Sequence, residues 1–184
     1  MKRRLWLRGA AGGAAVVLLA AHSPYRQWEV YRKTRLVIAA SASDAGAVAL
    51  ARALAEVFAE RLPQSRASFA RARDTNDLVR LVASRQLEVV VLREVDAYAA
   101  FSGAEPFADN GRVALRTLAP LGEHLFACIE GVPNAAAYML VEALAERWGA
   151  LDAALVQHAS SPKPRQAPRV PLHPGAGEFF RDHG

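Results

Sequence analysis

Arg71, Arg73 and Arg93 are the side chains of this 184-residue sequence whose placement most suggests chemistry, because each stands at or just past a run that reads as a β-strand. In open α/β sheets, ligands bind outside the carboxyl ends of the strands. The hydroxyls of Ser41, Ser43 and Thr75 fall in the same loops. Three arginines there would either face a ligand or solvate an exposed sheet edge, and the sequence is compatible with both. No catalytic constellation accompanies them. His124, His158, His173 and His183 lack metal-ligand spacing and have no neighbouring cysteine or carboxylate partner. Ser41 and Ser43 sit in no Gly-x-Ser-x-Gly turn, and Glu88 and Asp96 read as a strand edge and a helix face. Cys128 is the sole cysteine, set in apolar Leu125-Phe126-Ala127-Cys128-Ile129, and reads as a buried small hydrophobe. The expectation is a protein that is not an enzyme and carries no metal or cofactor.

The elements that position these residues follow from hydrophobic periodicity. Leu36 to Ala40 is a continuous apolar run, as in a parallel strand buried on both faces. Ser41 to Asp44 supplies turn and cap residues, after which Leu50, Leu54, Val57, Phe58 and Leu62 share a helical face that Pro63 ends. A strand over Arg66 to Ala72 and a helix capped by Asp74 or Thr75, with Leu78, Leu81 and Val82 inward, come next. Glu88 to Leu92 is the strongest strand signal, and the helix after it carries Val95, Tyr98 and Phe101 up to Ser102-Gly103. Strands alternating with helices predict an α/β fold: a mainly parallel sheet with right-handed crossovers and flanking helices, in which Val37, Val89, Val90 and Val91 are buried.

Beyond this unit, Arg112 to Leu121 and Glu123 to Glu130 read as two extended segments. Pro133 to Trp148 reads as an amphipathic helix with Ala137, Leu140, Val141, Leu144 and Trp148 inside and Glu142, Glu146 and Arg147 outside. Leu151 to His158 continues helically, and the proline-rich stretch from Ser160 to Pro171 reads as an extended surface strap. Pro174 suits the first position of a short terminal helix.

Charge argues against nucleic acid. Lys2, Arg3, Arg4 and Arg8 lie in residues 1–21 with no acid, and without them 19 basic residues face 18 acidic ones, interleaved along helices as on solvated faces. Residues 1–21 read as an export segment, with a basic start and an apolar stretch from Gly9 to Ala21. Such a helix reaches about 20 Å against a hydrocarbon core of roughly 30 Å, which favours a cleaved signal. An uncleaved anchor stays open, with Tyr25, Trp28 and Tyr31 among the basic residues of a juxtamembrane segment 22–34. Arg3-Arg4 fits a twin-arginine signal as well as the general secretory route. Residues 35–184 form the single expected domain.

The tail Leu172-His173-Pro174-Gly175-Ala176, followed by Phe179-Phe180-Arg181, resembles the ending of the TAXI-type solute-binding proteins of TRAP transporters. Arg85-Gln86-Leu87-Glu88 stands where that family has a Gly-Glu-Val-Asp turn. Ala100-Phe101-Ser102-Gly103 with Pro106-Phe107, and Gly131-Val132-Pro133, resemble further family segments. The resemblance implies the first lobe of a two-lobed periplasmic receptor, with the second lobe missing between Glu130 and Gly131. In the family the ligand is a small organic acid and the partner a TRAP membrane permease.

Departures from the family lie at its ligand loops. Its Gly-rich loop ends in Gly-Val-Tyr-Tyr, where this chain has Ala47 and Val48 in place of both tyrosines, and Asp44 would repel an anion at the helix start. The resemblance places Ser41, Ser43, Arg71, Arg73, Thr75 and Arg93 at any ligand site that survives. The expectation is a periplasmic accessory or protein-interaction module. The alternative is an organic-acid-binding subunit completed by dimerisation or by a partner.

Overall fold

The computed structural model describes residues 35–153, 156 and 161–183. The export and juxtamembrane segments and half of the expected 151–158 continuation lie outside these residues, while 151–153 include a bend and a turn rather than helix. In chain order the elements are β1 (Val37–Ser41), α1 (Ala45–Arg61), β2 (Ser68–Ala72), α2 (Thr75–Ala83), β3 (Val89–Arg93), α3 (Glu94–Ser102), β4 (Leu115–Leu121), β5 (His124–Ile129), α4 (Asn134–Glu146) and α5 (Pro174–Asp182).

The sheet order is β2-β1-β3-β5-β4. β1 pairs in parallel with β2 and β3, because helical crossovers join these strands and restart each at the same end. β4 and β5 are joined by a two-residue loop in which Gly122 takes φ 67°, so β5 runs antiparallel to both β4 and β3. Four strands therefore share one direction and β5 alone opposes them. The α/β fold with flanking helices is the one expected, and the antiparallel hairpin widens its parallel unit.

β1 leads outward to β2, whereas β2 leads back across β1 to β3. Right-handed crossovers then put α1 and α2 on opposite faces. α4 lies beside α1, tied by the ion pairs Arg61–Glu146 and Arg147–Glu60, and Phe58 of α1 stacks on Phe126 of β5 with centroids 5.6 Å apart. Ile38, Ala39, Ala40, Val90, Val91 and Phe126 are fully buried between the helical layers.

Some side chains sit elsewhere than their bulk suggests. Val95 is 60% exposed, because the inner stripe of α3 is Ala97 and Ala100, and Val95 projects about 200° round from Ala97. Val37, Leu81, Tyr98 and Phe101 are half-buried at the edge of the core. Glu142 was expected outside and is buried, because α4 is covered on its second side by α5 and the strap.

The tail explains itself physically. Thr117 of β4 donates its N–H to the Pro171 carbonyl and its hydroxyl to the Val170 carbonyl, both at 2.8 Å, and accepts the His173 N–H at 2.8 Å. The strap thereby covers the outer edge of β4, which would otherwise be an open template for strand pairing. His173 is buried, donates from Nε2 to the Val132 carbonyl at 2.9 Å and accepts the Gly175 N–H at Nδ1 at 3.2 Å, so it both caps α5 and ties it to the start of α4. Pro174 occupies the first turn of α5. At Gly175 a Cβ would lie 2.1 Å from the Asn134 carbonyl oxygen, so the two helices approach this closely only with glycine there. Phe179 and Phe180 then fill the seam, with Tyr138 edge-on to Phe179.

Candidate functional site

The strand order turns about β1 and β3, whose connections depart in opposite directions, so the crevice outside their carboxyl ends is the topological switch point at which open α/β sheets take ligands. β1 delivers Ser41 and, two and three residues on, Ser43 and Asp44. β3 delivers Arg93, and α3 begins at the next residue with Asp96 in its first turn. β5 starts at this same end, because His124 is in register with Arg93.

Asp44 organises the crevice. It is the N-cap of α1, accepting the Ala47 N–H at 2.9 Å. The Nε2–H of His124 donates to both Asp44 oxygens, at 3.1 and 3.2 Å, which fixes the proton on Nε2 because a carboxylate only accepts. The Arg93 guanidinium lies 3.9 Å from Asp44 and bonds Asp96 at 2.9 Å. Partial burial favours the neutral carboxyl of Asp44, but the Ala47 N–H, the His124 hydrogen bond and the charges of His124 and Arg93 outweigh it and hold the group below its ordinary range. At Gly46 a Cβ would stand 3.0 Å from the His124 ring, so glycine in this first turn gives the imidazole its place.

The other expected residues take separate positions. Ser41 is buried, and its Oγ lies 2.7 Å from that of Ser43; neither hydroxyl bonds the His124 ring. Arg71 is exposed on the edge strand β2 and pairs with no carboxylate among the described residues. Arg73 is exposed and pairs with Asp74 at 3.0 Å, which raises the affinity of its guanidinium for its proton. Asp74 caps α2 through the Asp77 N–H at 2.8 Å, and Thr75 is the first, half-buried residue of that helix. The switch point thus gathers Ser41, Ser43 and Arg93 but not Arg71, Arg73 or Thr75. With Asp74, Asp77, Glu94, Asp96 and Glu123 interleaved among the arginines, this end lacks the single-sign field that concentrates an anion.

His124 and Asp96 are the participants that sequence spacing missed. The available signals were Gly46 in the first turn of α1 and the glycine turn that returns β5 beside β3. Cys128 is fully buried, and burial, with Glu88 adding to it, pushes its thiol far above the ordinary range, which leaves it unreactive. Among the described residues no group of three His, Cys, Asp or Glu is arranged to hold a metal ion, and no helix is long and apolar enough to cross a membrane. No protein-family model and no curated protein matches the chain.

Proposed function

We propose that the chain is a single solute-binding-like lobe of the TAXI type that acts as a protein-interaction module at the periplasmic face of the membrane. One observation carries this reading: at the switch point, where a receptor would hold its ligand's carboxylate, the protein supplies its own in Asp44. That carboxylate already has the helix N–H, the His124 ring and the nearby Arg93 charge. An incoming acid would have to displace these partners or share them with a like charge. The lobe reading draws support from Arg85, which takes φ 58° at the position where the resembling family has glycine, the residue that backbone favours.

A surface of alternating charge around exposed Val95 has the character of a polar interface rim, and a TRAP permease or another inner-membrane protein is the proposed partner. Arg71 favours a second reading, in which a dimer mate or partner adds the missing wall and an organic acid binds between them, because this cation is exposed and unpaired among the described residues. Calorimetric titration of the full chain with small mono- and dicarboxylates separates the two. The interaction module gives no binding tighter than the millimolar range. Micromolar binding that disappears on Arg71→Ala supports the second reading and overturns the first.

A further inference from the structure

The strap and α5 enclose a groove of about 820 Å³, open to solvent and sharing no residue with the strand-end site. Its floor and walls are mainly apolar, from Pro168, Leu172 and Phe180, and Lys163, Arg165 and Arg181 stand around it. None of these three cations pairs with a carboxylate among the described residues. The walls are held in place from behind. Val170 is fully buried, Thr117 bonds the strap backbone on both sides of Pro171, and the Arg169 guanidinium lies 3.5 Å from the centre of the Tyr98 ring. Gly177 lines the groove, and a Cβ there would meet only Arg181 Nη1, at 3.6 Å, so a side chain at this position has room to enter.

We propose that this groove binds a single-chain amphipathic anion, with the apolar body on Phe180 and the prolines and the anionic head among Lys163, Arg165 and Arg181. The volume falls in the range of small-molecule sites, and an apolar lining with a few convergent charges is their usual construction. Three like charges without internal partners raise the local concentration of anions, and the apolar floor selects those that also carry a tail. A hydrophilic acid would gain little from the floor, and a neutral alkyl chain would gain nothing from the cations.

The test uses the full chain and dodecanoate held below its micelle concentration, with dodecanol as the uncharged counterpart and phosphatidylglycerol vesicles as a membrane arm. The expected result is saturable binding of dodecanoate that weakens with salt and is at least about tenfold tighter than that of dodecanol. Replacing Lys163, Arg165 and Arg181 together by Ala should weaken dodecanoate roughly tenfold, since exposed charge pairs each contribute modestly and are screened by salt. Gly177→Leu should fill the groove and abolish binding while the helix persists, because leucine is a better helix former than glycine. Equal binding of dodecanol, binding unchanged in both variants, or attachment to vesicles without binding of monomeric dodecanoate would each overturn the proposal.

Discussion

The two arginine-bearing regions of this molecule treat charge in opposite ways. At the carboxyl ends of β1, β2 and β3 Arg93 is matched internally by Asp96 and Asp44, and Arg73 by Asp74, with Arg71 the exception among the described residues. Around the groove, Lys163 and Arg165 of the strap and Arg181 of α5 have no such partner among the described residues. The difference lies in backbone context. Loops entering helices draw N-cap acids such as Asp44 and Asp74, and a first helical turn sets Asp96 three residues from Arg93. A proline-rich segment has no helical repeat to bring an acid alongside Lys163 and Arg165. Availability for a ligand therefore follows from the local structure around a cation more than from the cation itself.

The comparison breaks most severely at Gly175. Gly175→Ala places a methyl against the Asn134 backbone, which has no flexible side chain to yield, so α5 must move away from α4. The expected loss is about 3 kcal/mol or more, read as a shift in the denaturant midpoint, together with loss of the strap groove and retention of the strand-end ion pairs. A midpoint unchanged from wild type would contradict the close approach of the two helices.

A smaller effect comes from His173→Asn, which keeps an N-cap side chain but loses the bond to the Val132 carbonyl, at about 2 kcal/mol. Burial, with the Arg116 charge adding to it, lowers the proton affinity of His173 despite the Val132 bond and Glu130, and the neutral ring is the one that can accept from Gly175. The unfolded chain therefore binds the proton more readily. The stability contributed by His173 is fully present above its unfolded value near 6.5 and is lost as pH falls through the lowered folded value. Denaturant midpoints taken between pH 7.5 and 5 should fall more steeply for wild type than for His173→Asn. Parallel curves would remove the neutral-imidazole account.

The smallest change lies at the amino end of β3, away from both charged regions. Arg85 holds φ 58°, a conformation that costs a side-chain-bearing residue about 1 kcal/mol, so Arg85→Gly should stabilise slightly or leave stability unchanged. A clear loss of stability would show that the Arg85 side chain contributes contacts that outweigh its backbone.

How far the sequence announced this structure differs between the same regions. β1 and β3 were legible because parallel strands buried on both faces are written as unbroken apolar runs, and Asp44 and Asp74 mark the helix starts with local chemistry. The joining of His124 to Asp44 was not legible, since the two are separated by 80 positions and meet only through the register of β5 on β3. Glu142 was misplaced for a related reason: a helix pattern shows which side is polar, but not that a distant tail will cover it. Gly175 read as part of a motif, and its necessity emerges only from the Asn134 carbonyl beneath it.

Asp44 is proposed to take the place of a ligand's carboxylate, and Asp44→Ser tests this, because serine preserves the helix cap while removing the charge. Acetate titrated into wild type and variant, followed by the amide resonances of Ala42 to Ala47 and the His124 ring, gives the comparison directly. The expected result is no saturable shift in wild type and saturable binding in the millimolar range in Asp44→Ser, weakened by salt. Saturable acetate shifts at these residues in wild type, or none in a folded Asp44→Ser variant, would contradict it.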